Sequence, residues 1–82
     1  MIELPYSLVI EASEDPERFG FYAPGLKDFG GFGHSIEDCI YRARWGMREH
    51  VEWMAEQGMP IPPSDSDPTI TICNAKRAAA AA

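Results

Sequence analysis

Apolar and polar residues alternate near the start of the chain. In the segment PYSLVIEA, residues 5–12, Tyr, Leu, Ile and Ala fall on one face of an extended chain, and Ser, Val and Glu fall on the other. A period of two predicts a strand with one face on a core. The alternation resumes at Phe19 and Phe21 and stops at Pro24, after a turn-rich connection over residues 13–18. The two segments therefore predict the first two strands, joined as a hairpin.

Two further strands are predicted from less regular patterns. The segment GLKDFGGFGHS, residues 25–35, holds four glycines among its apolar residues. It predicts an irregular or bulged third strand from about Asp28 to Gly33. The segment TITIC, residues 69–73, alternates again and predicts a fourth strand with Ile70 and Ile72 directed inward.

A long helix lies between the third and fourth strands. Ser35 is a favourable N-cap, Asp38 follows three residues later, and Gly58 with Pro60 ends the helix. Apolar residues then recur at helical spacing and form one stripe, which is the predicted core face. The stripe consists of Ile36, Ile40, Ala43, Met47, Val51 and Met54, flanked by Cys39 and His50.

The predicted order is β-β-β-α-β. This order describes an α+β domain in which one long helix covers one face of a small antiparallel sheet. Residues 1–75 form the single domain, and residues 76–82 are predicted to be a flexible C-terminal tail. A chain of 82 residues is marginally stable alone and often completes its core by self-association. We therefore expect a homo-oligomer, either a dimer or a tetramer.

Composition narrows the classes of function. Thirteen acidic against seven basic residues give a net charge of −6, which disfavours nucleic-acid binding and suits a basic protein partner. The sequence has neither a membrane-length apolar run nor a signal-peptide pattern, so we expect a cytoplasmic protein without membrane contact. In that compartment Cys39 and Cys73 are expected to be buried free thiols, although one disulfide remains an alternative.

Residues that could support catalysis are sparse. His34 and His50 are separated by sixteen positions and share no neighbouring metal-ligand pattern. The carboxylates of Glu11, Asp15 and Asp28 belong to a strand face and to turns, so a carboxylate site is not favoured. The glycines of the third strand lack the Lys and Ser or Thr of a phosphate-binding loop, and a bulge explains them better. We predict no catalytic residues, no bound metal and no cofactor.

The unusual residues lie on the helix, away from its core stripe. Tyr41, Trp45 and Arg48 fall on one outer side, with Trp53 to one side of them. These residue types are enriched as anchors of protein interfaces, although the linker could instead fold over them. Val9 and Tyr22 are further apolar residues that one helix cannot cover. The interface candidates are Tyr41, Trp45, Arg48, Trp53, Tyr22 and Val9.

The order of these motifs resembles the HicB-like antitoxin family. The resemblance rests on the segments YSLVIEA, ERFGFYAPGL, GHSIEDCIYRA and GMPIPPSDSD and covers nearly everything from Tyr6 to Ile72. Its most specific element is Gly-x-Pro-Ile-Pro after a capped helix. The matching positions are Pro24, Leu26, Gly33, Ser35, Ile36, Glu37, Ala43, Gly58, Pro60, Ile61 and Pro62.

The resemblance implies a partial ribonuclease H-like fold without ribonuclease activity. Such domains neutralise HicA-type toxins, which are small basic proteins with a double-stranded-RNA-binding-like fold that cleave messenger RNA. Family members usually continue into a DNA-binding domain, and this chain ends soon after its last predicted strand, so we expect no direct DNA binding. The alternative is a self-assembling domain of the same fold whose partner is not a toxin.

Overall fold

The computed structural model describes residues 4–74 and has the predicted order of elements, β-β-β-α-β. The predicted tail at residues 76–82 lies outside the described residues. One helix packs against a four-stranded sheet, which makes this a small α+β domain. The elements are β1 (Leu8–Ala12), β2 (Phe19–Tyr22), β3 (Gly30–Gly33), α1 (Ile36–Glu56) and β4 (Ile70–Asn74).

The sheet is mixed, so the prediction of an antiparallel sheet is wrong for one strand. The strand order is β3-β2-β1-β4. β2 pairs antiparallel with both β1 and β3, but β4 pairs parallel with β1, with Ile10 opposite Ile72. The reason is the crossover: α1 carries the chain back along the sheet after β3, so β4 starts at the same end as β3 and β1.

The core lies between α1 and one face of the sheet. Cys39, Ala43 and Met47 of α1 are fully buried, and Met54 is nearly so. Ile36, Ile40 and Val51 of the predicted stripe are only partly buried. The buried face of α1 is therefore rotated from the predicted stripe toward Cys39. Both cysteines are free, and burial raises the pKa of the Cys39 thiol. The sheet contributes Leu8, Ile10 and Phe21, and the preceding and connecting segments contribute Leu4, Tyr6, Ala23 and Leu26.

The glycines of β3 allow close packing, and β3 contains no bulge. Its pairing with β2 is regular from Phe19 opposite Gly33 to Tyr22 opposite Gly30. A Cβ at Gly31 would lie 2.8 Å from the ring of Phe21, and a Cβ at Gly33 would lie 2.9 Å from the sulfur of Cys39. A side chain at Gly31 would collide with the Phe21 ring, and a side chain at Gly33 would collide with Cys39 in the first turn of α1. The bulge interpretation is therefore wrong.

Hydrogen bonds at both ends define α1. The Ser35 hydroxyl accepts from the backbone N–H of Asp38 at 3.0 Å. The Asp38 carboxylate accepts from the backbone N–H of His34 and from Arg42, and these two contacts hold its pKa below the ordinary value of 3.8. At the other end, Gly58 has a φ of 71° one residue beyond the C-cap, a conformation that suits glycine.

No helix of the described chain is long and apolar enough to cross a membrane.

The proline-rich segment after α1 is tied to the residues that precede β1. The Tyr6 hydroxyl donates to the carbonyl of Pro62 at 2.7 Å, and the backbone N–H of Asp65 donates to the carbonyl of Pro5 at 2.7 Å. Ser7 donates to the Asp65 carboxylate and accepts from the N–H of Thr69. These bonds fix where β4 begins and hold residues 61–65 beside the sheet.

The helix leaves β4 uncovered. Within residues 4–74, α1 lies against β1, β2 and β3, whereas no Cα atom of α1 comes within 8 Å of a Cα atom of β4. Ile70, the first residue of β4, still packs against the core. Ile72 lies in register with Ile10 and on the same face of the sheet, yet it is 54% exposed. Ile72 therefore faces the helix side of the sheet as predicted but stays exposed, because alternation sets the face of a residue and not whether a helix covers that face.

A groove along the outer side of the helix

The structure places Tyr41, Trp45 and Arg48 together on one exposed side of α1. Tyr41 is 62% exposed and Trp45 is 48% exposed, and Arg48 is also exposed. The two rings meet edge to face with centroids 6.5 Å apart. By helical geometry the three residues lie within about 60° of one another and about 120° from Met47. All three residues therefore lie outside the core.

These residues form one wall of an open groove of about 850 Å³. The opposite wall comes from the start of β1 and from the proline-rich segment, with Pro5, Ile61 and Pro62. The groove therefore lies on the flank of α1 that faces away from β3. Its wall residue Ile61 is 45% exposed, so the groove presents apolar surface to solvent.

The charges of the groove differ from those of the whole chain. Among residues 4–74, the basic residues Arg44 and Arg48 line it, against Glu52 as its one acidic residue. Arg48 makes no hydrogen bond or ion pair with another described residue. A groove lined by tyrosine, tryptophan and arginine has the composition of a protein-binding surface, because these side chains combine a large apolar area with a polar end.

The sequence analysis grouped one wall of this groove and gave the other only as an alternative, in which the linker folds over the aromatic residues. Helical spacing was sufficient to group Tyr41, Trp45 and Arg48. The second wall depends on the bond between Tyr6 and Pro62, which are 56 residues apart in sequence. The only signal in the sequence was the proline run itself, which predicted an extended segment without indicating where it would lie.

Trp53 lies on the other flank of α1. Its ring centroid is 5.6 Å from that of His50, and His50 in turn lies 5.8 Å from the ring of Phe29. The Nε2 atom of His50 is 3.0 Å from the carbonyl oxygen of Lys27. Trp53 is 46% exposed, nearly the same as Trp45. The two tryptophans thus lie on the same helix and are similarly exposed, but they belong to different surfaces.

Val9 and Tyr22 lie on the face of the sheet that α1 does not cover. They are opposite each other in the pairing of β1 with β2. On the same face the guanidinium of Arg18 lies 4.4 Å above the ring of Phe32. The six interface candidates are therefore divided among three surfaces, and only Tyr41, Trp45 and Arg48 share the groove.

The polar residues that the sequence analysis considered for chemistry lie apart in the described part of the chain. Glu11 is on β1 and Asp28 is in the turn before β3, so β2 separates their positions in the sheet. The Nδ1 atom of His34 lies 3.3 Å from the carbonyl oxygen of Glu17. Within residues 4–74, no group of three or more His, Cys, Asp or Glu side chains is arranged to hold a metal ion.

A second, smaller depression of about 380 Å³ lies near the start of α1. Asp15, Glu17, Arg18 and His34 line it together with Arg42. Its charges are mixed and partly paired, since Arg42 binds Asp38 at 2.8 Å and Arg18 lies over Phe32. This depression lacks the aromatic lining of the groove.

Comparison with known proteins found no match to any family model, any curated protein or any solved structure.

Proposed function

We propose that this chain is a non-catalytic protein-binding module that acts as an antitoxin of the HicB type. Its partner would be a small basic HicA-like toxin that cleaves messenger RNA. The fold proposed with this function is the partial ribonuclease H-like domain. The observed order β-β-β-α-β, with one helix on the sheet, supports that relationship.

The observation that carries the binding function is the groove along α1. Trp45 and Tyr41 expose large rings beside an unpaired Arg48 and an exposed Ile61. Soluble domains seldom leave such a group of residues in contact with water unless a partner covers it. Protein interfaces use these residue types as their energetic centres.

The charge of the chain supports a basic partner outside the groove. The chain carries a net charge of −6, while the groove lining has two arginines against one glutamate. The excess of carboxylates therefore lies on the remaining surface. Complementary charge accelerates association and disfavours wrong partners.

The test uses the product of the adjacent reading frame, if that frame encodes a small basic protein. This protein is incubated with a messenger RNA, and increasing amounts of the present chain are added. We expect RNA cleavage to fall to background near one chain per toxin molecule. Inhibition should weaken as salt is raised, because charge attraction between exposed groups is screened.

The control is an unrelated acidic protein of similar size and net charge. It should leave cleavage unchanged, which separates specific neutralisation from simple charge competition with RNA. Undiminished cleavage at a large excess of the present chain would contradict the antitoxin function.

A second function is favoured by a separate observation. β4 is an edge strand, and Ile72 on its helix side is exposed because α1 does not reach it. Exposed sheet edges invite pairing with another chain. The alternative to the antitoxin is therefore a self-assembling domain of the same fold with a partner that is not a toxin.

A further inference from the structure

The sheet has room for a second helix on the face that α1 occupies. Strands lie about 4.8 Å apart and a helix is about 10 Å wide, so one helix covers two to three strands. α1 covers β1, β2 and β3 and leaves β4 free. The groove lies on the same flank of α1, between the helix and the proline-rich segment. A second helix packed on the groove side of α1 would cover the groove wall.

The exposed side of α1 has the spacing of a helix-pairing seam. Tyr41, Trp45, Arg48 and Glu52 are separated by four, three and four residues. This is the interval at which successive residues of one helix meet a neighbouring helix. All four are exposed and all four line the groove. We name this set the α1 seam.

The α1 seam is complementary to itself in the antiparallel direction. Consider two copies of α1 laid antiparallel, related by a two-fold axis midway between Trp45 and Arg48. Trp45 of each copy then faces Arg48 of the other copy, and Tyr41 of each faces Glu52 of the other. An arginine over a tryptophan ring is attracted by the ring electrons. A tyrosine hydroxyl can donate to a carboxylate. Each of these contacts would occur twice.

We propose that the groove binds a second copy of this chain, with the two α1 helices packed antiparallel along the α1 seam. This inference rests on the proposed function, because it takes the groove to be a protein-binding surface. It goes further by naming the occupant and the register. In this register the arginine side chains of each copy meet aromatic and acidic side chains of the other.

A flanking ion pair strengthens the register. In an antiparallel helix pair, residues on the same flank of the two helices face each other. On the flank away from the sheet, this brings Arg42 of one copy to Glu49 of the second copy. Glu49 makes no hydrogen bond or ion pair with another described residue. Arg42 uses its Nε to bind Asp38, so its two terminal nitrogens are available.

The test exchanges the charges of the flanking pair. Arg42→Glu and Glu49→Arg are prepared as separate full-length variants, and their folding is checked by circular dichroism and thermal unfolding. Either variant alone places like charges together twice, so its dimer should dissociate at concentrations at least about tenfold above wild type. An equimolar mixture should recover a dimer, because each chain then meets its opposite charge. Native mass spectrometry distinguishes this heterodimer from either homodimer.

Glu11→Arg is the matched control, since it makes the same charge change on the face of the sheet that α1 does not cover and should leave association unchanged. The inference is overturned if the mixture shows no heterodimer, or if the two single variants associate as wild type does. If that happens while the chain still neutralises a toxin, the chain binds protein but the occupant of the groove is not a second copy. The proposed function would then stand without the inference.

Discussion

Tyr6 shows how one residue links the core to the groove. Its ring is 4% exposed and belongs to the core, while its hydroxyl donates to the carbonyl of Pro62 at 2.7 Å. Pro62 belongs to the groove wall opposite α1. A single side chain therefore positions residues that are far apart in sequence.

Tyr6→Phe should lower the free energy of unfolding by about 0.5–1.5 kcal/mol, the net contribution of a typical hydrogen bond. The ring remains buried, so only the bond to Pro62 is lost. Urea denaturation at a concentration where the chain is monomeric measures the effect. Tyr41→Phe is the control, because the Tyr41 hydroxyl has no partner among the described residues. An equal loss in both variants would show that the bond to Pro62 does not hold the wall.

At the scale of elements, α1 has two sides with separate roles. Met47 is fully buried against the sheet, while Trp45, two residues earlier, is half exposed. The helix thus has one side buried in the core and another side exposed, for which we propose a binding role.

Met47→Ala should cost about 2–5 kcal/mol of folding stability, because it removes buried apolar atoms and leaves a cavity. Trp45→Ala should cost much less in the monomer. Chemical denaturation of both variants at low concentration makes the comparison. If Trp45→Ala destabilised the monomer as much as Met47→Ala does, Trp45 would belong to the core.

The elements also show what sequence patterns can predict. Alternation and helical spacing predicted all four strands and α1 in their correct order. They could not give the direction of β4, because a parallel and an antiparallel partner produce the same alternation. They also could not show that Ile72 stays exposed, since coverage depends on where α1 crosses the sheet. The sequence also did not show why residue 33 is a glycine. A larger residue would collide with Cys39, and no sequence pattern reveals such a contact.

Only the part of the candidate site that lies on α1 could be predicted, because helical spacing relates residues within one helix. Tyr41, Trp45 and Arg48 were grouped correctly on one side of α1. Trp53 was placed to one side of them, and its ring packs with His50 on the other flank. The wall formed by Ile61 and Pro62 required knowledge of long-range hydrogen bonds.

At the scale of the whole molecule, size, charge and surface point toward association. The chain has 82 residues and a net charge of −6, and it leaves β4 and the groove uncovered. A domain this small gains stability by burying such surface against another protein. We propose that two kinds of partner use different parts of the surface: a second copy binds in the groove, and a basic partner binds the acidic remainder.

The most direct test of the groove as an interface compares its tryptophan with the tryptophan on the other flank. Sedimentation over a wide concentration range measures the dissociation constant of wild type, Trp45→Ala and Trp53→Ala. The two substitutions remove the same side chain from the same helix at nearly equal exposure. We predict that Trp45→Ala raises the dissociation constant about 30-fold or more, corresponding to about 2 kcal/mol, and that Trp53→Ala changes it less than about threefold. Equal effects of the two substitutions, or a wild-type chain that stays monomeric throughout, would contradict the account.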